Sequence, residues 1–303
     1  MKIAVPDLIS NSYFPALAAV ELGTFAAEGI DAEIAVIFPP DRAYAAMREG
    51  EVDLVAASAH AALGAYPGFK GVRFPCAQSQ GMYWFLVLHR DFGAARGDLD
   101  ALRGKRIGAA PWVELGLRGI LADAGLDGPD AGITIGPVPK IEGVGPNFGL
   151  MAYRALEARA IDGFWANGMA AELAVRHGVG DVVLDARRGD GPAGAFGFTF
   201  ASLAIDERAL TRNPELGAAT IRAITNAQAL LKADISRATA VGERLFPPEE
   251  AGLIADLVAR DLPFYSPVIT PEVSAALVRF ASARGILDAD VPHDDLVIAE
   301  TPR

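Results

Sequence analysis

The chain has 303 residues, of which 51% are hydrophobic and 21% are charged, so it is globular and holds one large domain or two ordinary ones. Its net charge of −11 disfavours nucleic acid and anionic membranes as partners, but it does not exclude the binding of a small ligand, even an anionic one. The single cysteine, Cys76, excludes an internal disulfide and a cysteine-rich metal site. No apolar run approaches the roughly 20 residues of a membrane helix, and we expect neither a metal nor a cofactor.

Residues 1–38 predict a strand–loop–helix–strand unit. The apolar run Ile3–Val5 precedes the polar loop 7–13, a helix that begins at Pro15, and a second strand over Ile34–Phe38. Open α/β sheets bind small molecules in the loops that follow their strands. Because this unit begins at residue 2 without the apolar core of a signal peptide, we expect a cytoplasmic protein, or a periplasmic one whose leader was removed.

The rest of the first two hundred residues alternates predicted strands with helices, and the segments after Asp206 predict helices. The strands are expected at 52–57, 74–77, 84–88, 107–109, 133–138, 161–165, 182–184 and 196–205, and the late helices at 214–233, 236–245, 248–261 and 271–285. The order predicts two lobes, residues 1–86 with 200–303 and residues 87–199. Two crossing strands would form a hinge beside a ligand cleft.

Polar and aromatic residues follow many of these strands, where the strand ends of one sheet should meet. Such loops supply the ligand contacts of α/β proteins. The candidate ligand-binding residues are Ser10, Asn11, Tyr13, Ser58, His60, Gln80, Tyr83, Trp84, Trp112, Glu114, Asn147, Trp165 and Asn167.

The three tryptophans of the chain all lie in or beside these loops. One interpretation is an aromatic box that sandwiches a planar or cationic ligand, and the alternative is that the rings pack in the protein core. His60 would bond the ligand, act as an acid or base in an enzyme, or serve the structure alone. Glu114 and Glu142 would accept a hydrogen bond from an amino or ring N–H group of the ligand, or they would remain solvated carboxylates at the surface.

Four segments resemble the type 2 periplasmic-binding-protein fold: 15–33, 49–54, 99–108 and 155–164. Within that fold the chain is similar to the SsuA/NMT1-like family, which includes binding proteins for thiamine pyrimidine precursors, nitrate, taurine and alkanesulfonates. The resemblance implies an α/β protein of two lobes, each a mixed sheet flanked by helices, with a two-stranded hinge and a helical C-terminal third. Relatives that make the thiamine pyrimidine carry a cysteine cluster, which this chain lacks.

Two main hypotheses follow. The first is a solute-binding protein that closes on a small planar, aromatic or heteroaromatic molecule and delivers it to an ABC permease. The second is a cytoplasmic decarboxylase, lyase or hydrolase of a small cyclic acid, with His60 transferring a proton and Glu114 or Glu142 assisting. A cytoplasmic ligand sensor is a third possibility. The sequence lacks the Gly-x-Ser-x-Gly motif of serine hydrolases, the His-Glu-x-x-His motif of zinc enzymes and a dinucleotide-binding Gly-x-Gly-x-x-Gly motif after a strand. Their absence favours the first hypothesis over the enzyme.

Overall fold

The computed structural model describes residues 1–145 and 147–298, so the last five residues of the predicted first lobe lie outside the described part. The chain divides into two compact units, Met1–Gln80 with Thr199–Arg303, and Gly81–Phe198. The first unit ends at Gln80 rather than at Leu86, because the whole strand Phe85–His89 pairs within the sheet of the second unit.

The described residues form ten strands in two sheets. In chain order they are β1 (Lys2–Val5), β2 (Glu33–Val36), β3 (Leu54–Ser58), β4 (Val72–Ser79), β5 (Phe85–His89), β6 (Arg106–Ala109), β7 (Thr134–Gly136), β8 (Gly163–Ala166), β9 (Gly180–Asp185) and β10 (Ala201–Asp206). Most of these strands coincide with short apolar runs, which is typical of strands buried on both faces.

Twelve α-helices accompany the strands over the described residues. They are α1 (Phe14–Glu21), α2 (Thr24–Ala27), α3 (Pro40–Glu49), α4 (Glu114–Asp123), α5 (Phe148–Glu157), α6 (Gly168–Arg176), α7 (Glu207–Arg212), α8 (Leu216–Ala233), α9 (Ser236–Leu245), α10 (Pro248–Asp261), α11 (Pro271–Ala283) and α12 (His293–Leu296). Local sequence explains many of their ends. In α3, Pro40 stands at the first turn and Gly50 ends the helix with a φ of +81°.

The sheet of the first unit has the order β2-β1-β3-β10-β4. β1 is parallel to β2 and β3, whereas β10 is antiparallel to both β3 and β4, with Ala201 opposite Ser58 and Ser79. The residues that follow β1, β3 and β4 therefore meet at one edge with the residues that precede β10. We call this the first edge.

The sheet of the second unit has the order β7-β6-β8-β5-β9. β6 is parallel to β7 and β8, and β5 is antiparallel to β8 and β9, with Phe85 opposite Ala166 and Asp185. The residues after β6, β8 and β9 therefore meet at one edge with the residues before β5. We call this the second edge.

The helices after β10 complete the first unit. α8 packs against α1, α2 and β4, and Val297 near the end of the described chain forms a bridge to Phe74 in β4. The segment after Ser58 forms a 3-10 helix, Ala59–Gly64. Among the described helices, none combines the length and the apolar character that crossing a bilayer requires.

Candidate functional site

Three polar atoms at the first edge are buried without a hydrogen-bond partner among the described residues. They are the Ser10 Oγ and Asn11 Oδ1 atoms, in the loop after β1, and the Ser58 Oγ atom, at the end of β3. All three residues are at most 1% exposed. Because nearly all buried polar groups in native proteins are hydrogen-bonded, three such atoms at neighbouring strand ends mark a candidate ligand site.

The side chain of Asn11 is held by residues from the C-terminal helices. Its Nδ2 group donates to Asp261 Oδ2, and the Tyr265 hydroxyl donates to the backbone oxygen of Asn11. Asp261 is fully buried and ends α10, whereas Tyr265 follows that helix. These contacts fix the amide of Asn11 while its Oδ1 atom has no partner in the described chain.

His60 lies beside the first edge and is fully buried. Its Nδ1 atom is 3.0 Å from the Thr199 Oγ1 atom, and its ring meets the ring of Phe280 edge to face, with centroids 5.7 Å apart. Thr199 precedes β10, so the sheet brings these residues together from distant parts of the sequence. The arrangement fixes the imidazole ring next to Ser58.

Two further predicted residues of the first unit have structural contacts. Tyr13 is buried, and its backbone N–H donates to the Ser10 carbonyl, which closes the loop after β1. The Gln80 Nε2 group donates to the carbonyls of Ser266 and Val268, at 3.0 and 2.7 Å. Gln80 therefore holds the segment between α10 and α11 against the end of β4.

Aromatic rings crowd the second edge. The rings of Tyr83 and Trp84 lie 4.6 Å apart, and Trp84 lies 6.2 Å from Trp165. Trp165 is fully buried in β8, and its indole N–H donates to the Val113 carbonyl at 3.0 Å. Two of the three tryptophans thus pack in the interior of this unit.

Trp112 differs from the other two tryptophans. It is half-buried in the loop after β6, and its φ of +67° lies in the left-handed region that side chains other than glycine rarely adopt. Such backbone strain is concentrated at ligand-binding and switch positions. The large ring is therefore kept at this edge in spite of a conformational cost.

Arg187 is the residue of the second edge that the sequence analysis missed. It follows β9 and is only 5% exposed. Its guanidinium lies 5.6 Å from the Tyr83 ring centroid, and its Nη2 group is 3.4 Å from the Gly81 carbonyl oxygen. The signal was present in the sequence, since Arg187 and Arg188 lie within a few residues of the end of an apolar strand, where side chains of α/β proteins contact ligands.

Asn147 and Asn167 both act as helix caps. The Oδ1 atom of Asn147 accepts from the Leu150 N–H at 3.1 Å, and that of Asn167 accepts from the Ala170 N–H at 3.0 Å. Glu114 lies in the first turn of α4, whereas Glu142 is exposed in a turn before α5. Over residues 1–145 and 147–298, no group of three or more His, Cys, Asp or Glu side chains could hold a metal ion.

No known family model matches the chain, and no curated protein is similar to it in sequence. Several solved structures share its fold. The alkanesulfonate-binding protein SsuA of Xanthomonas axonopodis pv. citri, bound to MOPS, is 16% identical with a TM-score of 0.72, over 98% of this chain and 97% of SsuA. The periplasmic nitrate-binding protein NrtA of Synechocystis PCC 6803 is 13% identical with a TM-score of 0.74, over 97% of this chain and 83% of NrtA.

DszB in complex with biphenyl-2-sulfinic acid is also similar, with 14% identity and a TM-score of 0.62 over 97% of this chain and 95% of DszB. At these identities the likeness concerns the fold. It agrees with the two mixed five-stranded sheets and with the resemblance found in the sequence. The chain therefore has the periplasmic-binding-protein fold that the SsuA alkanesulfonate-binding and NrtA nitrate-binding proteins share.

Proposed function

We propose that the protein is a periplasmic solute-binding protein that closes on a small planar, aromatic or heteroaromatic acid and delivers it to an ABC permease. The observation that carries the proposal is the set of three buried polar atoms without partners at the first edge, those of Ser10, Asn11 and Ser58. Polar atoms that lack partners inside a protein fold are satisfied when a ligand supplies them.

The aromatic body of the proposed ligand is supported by the second edge. Trp112 is half-buried in a strained loop, and the ring pair Tyr83–Trp84 lies before β5 at the same edge. Flat rings at such a place favour a flat ligand, because ring stacking adds to the burial of apolar surface. In this proposal Trp112 and Tyr83 contact the ligand, and Trp165 supports them from the interior.

The acidic group of the proposed ligand is supported by Arg187. A guanidinium presents planar donors that match a carboxylate or sulfonate. Arg187 is buried at the strand end where ligands of this fold class bind. The similar structures named above are an alkanesulfonate-binding protein bound to MOPS, a nitrate-binding protein, and DszB in complex with biphenyl-2-sulfinic acid, which agrees with an anion-binding role.

A retention experiment tests the proposal. The protein is incubated with a pool of benzoates, aromatic sulfonates, heteroaromatic carboxylates and their neutral amides, then filtered, and mass spectrometry identifies what is retained and what has changed. We expect an unaltered planar acid to be retained and to change the tryptophan fluorescence on titration. Consumption of a compound beyond the molar amount of protein would instead establish an enzyme, and retention of none of them would refute this ligand class.

Arg187→Gln should weaken binding of the retained acid by about 10- to 100-fold, because a charge-assisted hydrogen bond is lost. The matched control is Arg188→Gln, since Arg188 pairs with Asp185 at 2.8 Å and is assigned no ligand contact. We expect the control to bind like the wild type. Equal affinities of Arg187→Gln and the wild type for the acid would remove Arg187 from the site.

A further inference from the structure

We infer that the ligand donates a hydrogen bond to the Asn11 Oδ1 atom, and that Asp261 sets this preference by fixing the orientation of the Asn11 amide. The inference rests on the proposed function and narrows it to planar acids that carry an N–H or O–H donor. It assigns a positioning role to a buried carboxylate 250 residues from Asn11 in the sequence.

The first step concerns the direction of the amide. An asparagine side chain has a donor end and an acceptor end of nearly the same shape, so its surroundings decide which end faces a ligand. A carboxylate offers acceptors alone, and Asp261 Oδ2 accepts from the Nδ2 group of Asn11. A flip of the amide would place two oxygens against each other in a fully buried position, which is strongly unfavourable.

The second step concerns what remains available. With Nδ2 bound to Asp261, the group of Asn11 that lacks a partner among the described residues is the acceptor Oδ1. The two neighbouring hydroxyls, Ser10 Oγ and Ser58 Oγ, can donate or accept, so they do not select between ligand types. Asn11 Oδ1 can only accept a hydrogen bond, so this atom is the one that selects for ligands with a donor.

The third step concerns rigidity. The Tyr265 hydroxyl donates to the backbone oxygen of Asn11, and the Lys232 Nζ group donates to the backbone oxygen of Tyr265 at 2.8 Å. The loop after β1 is thus tied to α8 and α10 through backbone and side-chain bonds. These bonds hold the loop in place for any ligand, whereas the discrimination comes from the acceptor itself, because a ligand without a donor leaves Asn11 Oδ1 buried and unpaired.

The experiment uses matched ligands that differ in the donor alone. The probes are the ortho, meta and para aminobenzoates and aminobenzenesulfonates, each paired with the methyl compound of the same shape. We expect the wild type to bind at least one amino compound about tenfold or more tightly than its methyl partner, measured by fluorescence titration or calorimetry. Equal binding within every pair would overturn the inference.

Variants separate the orientation of the amide from general loosening of the loop. Asp261→Asn removes the carboxylate that fixes the amide, so the amino-over-methyl ratio should fall to within about threefold of one. The double variant Asn11→Asp with Asp261→Asn exchanges the two partners and keeps an acceptor oxygen at position 11, so it should restore the preference. If the double variant folds and shows no preference, the role of Asp261 is refuted.

Tyr265→Phe is the matched control, because it removes a bond to the backbone of Asn11 and leaves the Asp261 contact in place. It should lower the affinity for both members of a pair and leave their ratio unchanged. Failure of the two proposals is distinguishable. Retention of no planar acid at all refutes the proposed function, whereas retention of acids without amino-over-methyl selectivity refutes this inference alone.

Discussion

At the scale of single residues, the tryptophans of the second unit separate into two kinds. Trp165 is fully buried with its N–H bonded to the Val113 carbonyl, whereas Trp112 is half-buried with a φ of +67°. The burial and the hydrogen bond of Trp165 are those of a core residue, whereas the exposure and the strain of Trp112 are those expected of a residue that contacts a ligand. Their substitutions should therefore affect different measurements.

Trp112→Gly should leave the free energy of unfolding within about 1 kcal/mol of the wild type. Glycine adopts a positive φ freely, so the relief of backbone strain offsets the loss of the ring contacts. Ligand affinity should fall about tenfold as the stacking contact is lost. Thermal melting and fluorescence titration of the same samples measure both effects. A variant with unchanged affinity would assign Trp112 to the structure rather than to the site.

Trp165→Phe should destabilise the protein by about 2 kcal/mol, because it opens a cavity and removes the indole hydrogen bond to the buried Val113 carbonyl. Chemical denaturation followed by circular dichroism measures this change. Stability equal to that of the wild type would show that the β8 region repacks around the smaller ring.

Much of the first edge was predictable from the sequence, and the residues that hold it were not. Ser58 directly follows an apolar run, and Ser10 and Asn11 lie in the polar loop after another, so a local pattern indicates them. Asp261 and Thr199 contact Asn11 and His60 from other parts of the chain, and no local pattern reveals such pairs. Arg187 was within reach of the strand-end argument, but the predicted strand ends at Leu184, three residues before it.

At the scale of elements, one carboxylate in each unit connects neighbouring parallel strands at the end opposite the candidate site. Asp53 Oδ2 accepts from the Lys2 N–H at 2.7 Å, and Asp162 Oδ2 accepts from the Arg106 N–H at 2.8 Å. Asp53 precedes β3 and Asp162 precedes β8, and they lie in two of the four segments that carry the resemblance, 49–54 and 155–164. Those motifs therefore encode strand registration, which explains why they predicted the fold and left the ligand undetermined.

The Asp162 contact makes a prediction about acid stability. Hydrogen bonds from the Arg106 side chain, and then from its backbone, hold the pKa of Asp162 below its usual range. A carboxylate with a lowered pKa stabilises the fold above its unfolded-state pKa, and this contribution is lost as the pH falls through the folded-state value. Asp162→Asn should therefore lower the melting temperature by about 2 °C at pH 7, and by less at pH 3.

The control for this measurement is Asp127→Asn, at an exposed loop position with no hydrogen bond or ion pair among the described contacts. It should change the melting temperature little at either pH. A difference between Asp162→Asn and the wild type that stays constant from pH 7 to pH 3 would contradict the role of the ionised carboxylate.

Strands and long helices followed from the sequence because each depends on a local pattern. α9 and α10 begin and end where apolar periodicity and flanking prolines placed them. The order β2-β1-β3-β10-β4 depends instead on pairing between segments more than a hundred residues apart, such as Ser58 with Ala201. No local pattern in the sequence reveals that order.

At the scale of the whole molecule, the net charge of −11 opposes the approach of the acidic ligand that Arg187 is proposed to bind. Raising the salt concentration from about 10 to 150 mM shortens the screening length from about 30 to 8 Å. The association rate of the acid should therefore rise about twofold, while that of its neutral amide stays constant. Stopped-flow fluorescence measures both rates, and a rate that falls with salt would indicate local steering by a positive surface.

The place of β10 has a consequence for how the protein is made. β10 lies between β3 and β4 and pairs with both, yet it is synthesised after the whole of the second unit. The second sheet can close once β9 has left the ribosome, whereas the first keeps two strands with open edges until residue 206 has emerged. We therefore expect the first unit to be the part of the nascent chain that holding chaperones protect until β10 has been synthesised.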